Sequence, residues 1–199
     1  MAIYMWRDDT PTYQEVEYIQ SDWSQWLNTG VKVTNNTKVV NKGYLADYWV
    51  LYGVWLQGSY QSLVLWEWSL KYRARVRSWA SANVTVTSTV DCDTTPHVFE
   101  LSQGDWFWID GTKIGSMTSY TFTETQVLYI FWWNNRSGQS GGASSRIYYF
   151  KMYENGTQIY DLVPCYRKLD WEIWMYDLVT DTFFTNQGTG TFTKWWNVN

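Results

Sequence analysis

The sequence predicts an all-β fold in which two antiparallel sheets pack face to face as a β-sandwich. Three observations carry that prediction. Short segments rich in Thr, Val, Tyr, Trp and Phe follow one another along the chain, and these residues favour a pleated, half-buried surface. Turn-forming residues interrupt the segments at short intervals. No segment of ten or more residues holds a clean helical period.

The elements can be taken in order. Strands are expected at Glu15–Gln20, Lys38–Leu45, Trp49–Trp55, Ser62–Val76 and Asn83–Thr89. Val98–Ile114 reads as a hairpin. Phe99 and Leu101 share one face, a turn falls near Gln103-Gly104, and Phe107 and Ile109 continue the apolar face, which leaves Trp106 and Trp108 facing outward. Asp110-Gly111 supplies the next tight turn. Gln126–Trp132 is a further strand. Arg146–Leu162 is the clearest hairpin: Arg146–Glu154 pairs with Gln158–Leu162 around Asn155-Gly156, a type I′ turn because both central positions need positive φ. Ile173–Asp177 and Thr182–Thr185 complete the series. Pro11, Pro96 and Pro164 are placed at strand starts or ends, where the missing N–H is tolerated.

The chain has 199 residues, 45% hydrophobic and 17% charged. That fits one domain with a sizeable core. Residues 1–12 read as a short leader and residues 13–199 as a single domain. No apolar run approaches the roughly 18 residues that span a bilayer, so membrane insertion is not expected. No basic start followed by an apolar stretch marks a secretory signal. The net charge of −4 argues against nucleic acid as a partner. The one basic cluster, Lys71, Arg73, Arg75 and Arg77, alternates with Tyr72, Ala74 and Val76. It therefore occupies one face of a strand: a solvated outer face or, less favoured, a patch for an anionic glycan or phosphate. Cys92 and Cys165 fit no metal or redox spacing and read as separate thiols. Sequons stand at Asn35, Asn83, Asn135 and Asn155.

Three stretches carry a family resemblance: YIQSDWSQWLNTGVKV (Tyr18–Val33), RIYYFKMYENGTQIYDLVPCYRK (Arg146–Lys168) and MYDLVTDTFFTNQGTGTFTK (Met175–Lys194). Together they resemble the concanavalin A-like, or laminin-G-like, lectin/glucanase superfamily, and in particular modules found in phage tail and other virion proteins and in gut bacterial surface proteins. The resemblance implies a jelly roll with a binding or adhesion role. It also implies a place on a virion or cell surface, within a larger protein or a homo-oligomer. The similarity is weak over residues 44–95. One departure stands out. Related modules usually carry Gly where this chain has Trp23, Trp171, Trp174 and Trp195. UGA encodes Trp in some genetic systems and Gly in others, so a reassigned codon is one account of the sixteen tryptophans; aromatic surface gained for ligand stacking is the other. If these are glycine positions, the four residues should be exposed or poorly packed, some with positive φ.

Catalysis is not expected. A retaining glucanase needs carboxyls about 5–5.5 Å apart. Glu15 and Glu17 share a strand face, but Gln20 stands where the pattern calls for a third acid. Asp170 and Glu172 fall in a turn, where solvated carboxylates are ordinary. His97, the sole histidine, follows Pro96 at a strand start and reads as a strand-end residue. No HExxH, P-loop, GxGxxG or EF-hand loop is present. Ser137–Ser145 (SGQSGGASS) lacks the Lys and helix of a phosphate cradle and reads as a mobile loop. Asp91, Asp93 and Asp110 could ligate calcium by residue type alone. Neither a metal nor another cofactor is predicted.

Binding rests on the aromatic residues, 20% of the chain. Flat rings stack on the C–H faces of sugars with little entropy to lose. For most of them core packing is the expected role. Trp66 and Trp68 share a strand face. Trp132, Trp133, Asn134, Asn135 and Arg136 mark a strand-to-loop junction with stacking and hydrogen-bonding groups together. These seven are the candidate ligand-binding residues, and a glycan or cell-surface polysaccharide is the candidate partner. A structural virion domain is the alternative reading, and a glycoside hydrolase a remote one.

Overall fold

A computed structural model describes residues 12–45, 50–55, 62–68, 71–77, 83–102, 106–117, 123–135, 138–140, 142 and 144–198. In chain order the strands are β1 (Tyr13–Glu15), β2 (Ile19–Asp22), β3 (Leu27–Thr34), β4 (Thr37–Leu45), β5 (Val50–Trp55) and β6 (Ser62–Trp68). Then come β7 (Lys71–Arg77), β8 (Asn83–Asp91), β9 (His97–Ser102), β10 (Trp106–Ile109), β11 (Thr112–Ser116), β12 (Thr123–Ile130) and β13 (Trp133–Asn135). The last are β14 (Gly138–Ser140), β15 (Ser144–Glu154), β16 (Thr157–Arg167), β17 (Ile173–Asp177), β18 (Thr182–Phe184) and β19 (Thr193–Lys194). No helix occurs among the described residues.

Two sheets form. One runs β11-β10-β9-β4-β15-β16-β17-β18, with β1, β2 and β19 attached; the other runs β14-β13-β5-β6-β7-β8, with β12 and β3 attached. Pairing is antiparallel except between β13 and β5. Alternate residues of each sheet meet in one core. Val39, Phe99, Phe107, Phe150 and Leu162 come from the first sheet, and Leu27, Leu51, Tyr52, Tyr72 and Ile130 from the second. Each fully buried ring or branched chain contributes roughly 1.5–3 kcal/mol, so this layer is the main source of stability.

The expected hairpin is present. β15 pairs with β16 through Phe150↔Leu162, Met152↔Tyr160 and Glu154↔Thr157. Asn155 (φ 50°) and Gly156 (φ 78°) supply the two left-handed residues. The β9–β10 hairpin has the expected register, Leu101 opposite Phe107, and Asp110 and Gly111 turn with positive φ into β11. Its first turn, at Gln103-Gly104, lies outside the described residues.

Several boundaries differ from the sequence reading. Ser62–Val76 is not one strand but the hairpin β6–β7. Fifteen continuous residues would outrun the usual strand of about 3–10, and folding back lets both halves bury the same face; no Gly, Asn or Pro announced the turn. Glu15–Gln20 breaks at the buried Val16, where the chain moves from pairing β16 to pairing β15. The strand expected to reach Trp132 ends at Ile130. Phe131 then turns with φ 70°, its amide bonded to the Leu51 carbonyl at 2.7 Å and its ring buried against Phe192. Within the supposed Ser137–Ser145 loop, Gly138–Ser140 is an edge strand laddered to β13, because backbone pairing needs no apolar side chains. Pro164 lies inside β16, not at its end. It sits where the neighbour on one edge changes from β15 to β1, and its carbonyl accepts the Val16 amide on the β1 side. The missing N–H falls at that changeover.

The four tryptophans at expected glycine positions divide. Trp23 (φ 87°) and Trp171 (φ 64°) have left-handed backbones and are exposed, as is Trp195. Trp174 does not fit the expectation: it is buried in β17, its indole N–H bonded to Glu172 Oε2 at 2.9 Å. The guanidinium of Arg167 lies 4.2 Å from its ring centroid.

Candidate functional site

The face of the second sheet turned away from the core follows from the register of its strands. Tyr72 and Ala74 of β7 are buried, so Lys71, Arg73 and Arg75 between them take the other side. Backbone pairing sets Trp66 opposite Arg73 and Trp68 opposite Lys71. On the far edge Arg73 faces Thr87 and Arg75 faces Thr85. Cross-strand partners occupy the same face. The side chains of Trp66 and Trp68 lie outside the described residues.

The 132–136 junction joins this sheet through β13, which pairs with β5: Trp133 is aligned with Gly53 and Asn135 with Trp55. Gly53 is opposite Val64, and Val64 opposite Arg75. Trp133 therefore belongs to the same outer face, where it packs on Val50 in a small apolar cluster apart from the main core. Its neighbours point the other way. Asn134 is 3% exposed, and its amide donates to the Val127 carbonyl at 2.9 Å, so it braces the junction from beneath. Trp132 packs against the main core with Gly142 close against its indole. Strand alternation splits the predicted set: positions 133 and 135 go outward, Trp132 and Asn134 inward. Arg136 and the side chain of Asn135 lie outside the described residues.

Charge on this face is partly committed. Lys71 Nζ meets Asp91 Oδ1 at 2.5 Å and the Thr89 carbonyl at 2.8 Å. Arg75 Nε donates to Thr85 Oγ1 at 3.4 Å. Arg73 Nε is buried without a hydrogen-bond partner among the described residues. From β13 to β8 the face crosses four strand intervals, roughly 19 Å at the usual inter-strand spacing.

Elsewhere the titratable groups are tied into structure. His97 starts β9, as expected for a strand-end residue. Its Nδ1 lies 2.6 Å from Asp110 Oδ2, and its Nε2 lies 3.5 Å from Asp93 Oδ1. Two of the calcium candidates thus flank an imidazole and the third, Asp91, holds Lys71. Asp170 is clamped by Arg167, whose hydrogen bonds hold the carboxyl below its ordinary range. Cys92 and Cys165 are not joined by a disulfide; burial pushes the Cys165 thiol up to about 12.

One group was missed from sequence. Lys194, Trp195, Trp196 and Asn197 line a hollow of about 600 Å³ beside β2. The available signal was the adjacent Trp pair followed by Asn, close to the end of the sequence.

The chain is similar in structure to the native heptameric SAP-like pentraxin from Limulus polyphemus, over 70% of this chain and 76% of that one, with a TM-score of 0.50. The fold is a concanavalin A-like jelly roll. Sequence identity is 9%, so the likeness concerns the jelly roll alone. No family profile matches the chain, nor does any curated protein sequence.

Proposed function

We propose that this jelly roll is a non-catalytic carbohydrate-binding module that holds a glycan or cell-surface polysaccharide, carried on a phage virion or surface protein. One observation carries the reading: the register brings Trp66, Trp68, Trp133, Asn135 and the Lys71–Arg75 row onto a single outer sheet face. Rings stack on pyranose faces, while guanidinium, ammonium, amide and hydroxyl groups bond the sugar hydroxyls. Arg73 Nε, without a hydrogen-bond partner among the described residues, adds a donor for a sugar hydroxyl. The virion setting is supported by the sequence resemblance alone.

The test is a glycan array followed by incubation of any bound polysaccharide with a reducing-end assay. Retention without release of reducing ends is expected. Sustained release that is abolished by Glu15→Gln or Glu17→Gln would make the protein a hydrolase and end this reading.

A further inference from the structure

We propose a second saccharide site, built by Trp195 and Trp196 on the first sheet and separate from the face described above. It rests on the glycan-binding reading but sits on different strands. The two indoles meet at 78° with ring centroids 5.6 Å apart. Trp196 is 73% exposed and Trp195 49% exposed. Side by side they form an exposed apolar corner of the kind that can mark an interaction site.

The corner is held rigidly. Trp195 lies parallel to the buried Tyr18 ring, 6.1 Å away at 9°. Its amide donates to the Tyr18 carbonyl at 3.4 Å, the Glu17 amide donates to the Trp196 carbonyl at 2.9 Å, and the Val198 amide donates to the Glu15 carbonyl at 3.0 Å. Asn197 bridges Val16 in the same ladder. The backbone of both residues is therefore set before any ligand arrives and the Trp195 ring already rests on Tyr18, which lowers the entropy lost on binding.

The lining decides the ligand class. Two flat apolar walls suit the C–H faces of a pyranose, and Asn197 with Lys194 adds an amide and an ammonium for its hydroxyls. A corner of two indoles also resembles half of an aromatic cage for a quaternary ammonium. Lys194 lines the hollow and its Nζ is only 4.7 Å from the Tyr166 ring centroid, so a cation placed there meets a like charge. A hollow of about 600 Å³ falls in the range of small-molecule sites and has room for a short oligosaccharide.

The full chain, labelled with 15N, is titrated with the trisaccharides of glucose, mannose, galactose and N-acetylglucosamine, and separately with choline chloride. Indole N–H resonances report binding. At least one trisaccharide should shift the Trp195 and Trp196 signals at millimolar concentration, choline should not, and Trp196→Ala should weaken that binding about tenfold. Trp196 is exposed, so the variant should keep the fold, checked by circular dichroism. The site is overturned if no trisaccharide moves these two signals, if choline alone moves them, or if Trp196→Ala binds as the parent does. Trp133→Ala separates the two readings. If it removes glycan retention while Trp196→Ala does not, the second site falls and the sheet-face reading stands. The reverse pattern sustains the second site and removes the sheet face.

Discussion

Strand β16 has a turn at each end, and the two turns answer the same backbone demand with opposite residues. At its start Asn155 and Gly156 adopt positive φ. Gly meets that demand without strain, and Asn meets it at small cost. At its end Trp171 adopts φ 64°, a conformation that penalises a bulky side chain. The first turn is also bonded to its neighbour: Asn36 Nδ2 donates to Asn155 Oδ1 at 2.7 Å, and the β3–β4 turn lies alongside. The second is held by the Trp171 amide on the Arg167 carbonyl, the Arg167–Asp170 ion pair, and the Trp171 ring stacked 5.0 Å from Tyr166. A tryptophan at a turn can thus be strained in its backbone while still gaining a ring contact. Exposure alone does not show which effect wins.

The largest effect is expected at Trp174, the expected glycine position that turned out buried. Trp174→Gly should cost roughly 3–5 kcal/mol in chemical denaturation, because it empties a packed site. A neutral result would mean that the ring contributes nothing there. Next comes Gly156→Val, which should cost about 1–2 kcal/mol through backbone strain alone. No atom lies within 4 Å of a Cβ placed there, so Gly156→Ala should show the same kind of loss with no clash to explain it.

Trp23→Gly and Trp171→Gly should go the other way and stabilise the domain by about 1 kcal/mol. At 171 the lost stack on Tyr166, worth about 0.5–1.5 kcal/mol, offsets part of that gain. Destabilisation at both sites would show that these tryptophans are well accommodated. The reassigned-codon account adds a separate check. Peptides of the protein from its natural source should then carry glycine at 23 and 171 by mass spectrometry, and UGG codons at both positions would refute it.

The smallest effect concerns a turn occupied by a residue that suits it. Burial pushes the Asp110 carboxyl up, but hydrogen bonds from His97 and the Val98 amide, with help from Lys42, outweigh it and leave the group below its ordinary range. A depressed carboxylate stabilises the fold above its unfolded pKa of about 3.9 and loses that contribution as pH falls through the folded value. The difference in melting temperature between the parent and Asp110→Asn should stay constant above about pH 5 and shrink below about pH 4. A difference that persists unchanged to pH 2 would remove ionisation of Asp110 as its cause.

Much of the fold was legible because its signals are local. The I′ turn at Asn155-Gly156 and the Phe99/Leu101 against Phe107/Ile109 pattern each specify a register within a few residues. The β6–β7 hairpin was not legible, because no Gly, Asn, Asp or Pro stands in the sequence between Trp68 and Lys71 and the alternation runs straight through. The short strands β13 and β14 were hidden for a related reason: β13 forms by adding to β5, far away in sequence, and β14 by adding to β13. The candidate site was half legible. Its residue types stood out, but the seven were read as one group, whereas the pleat sends Trp133 and position 135 to one side and Trp132 and Asn134 to the other.

By itself, then, the sequence determined the all-β class, the two tight hairpins and the aromatic and basic inventory, since residue chemistry and a period of two act over short distances. Strand neighbours, and so the positions that share a face with Lys71, Arg73 and Arg75, were settled by the tertiary structure. It also decided that Trp195 and Trp196 line a hollow while Trp174 is buried. Burial and strand pairing depend on contacts between residues far apart in the chain, and no local pattern encodes them.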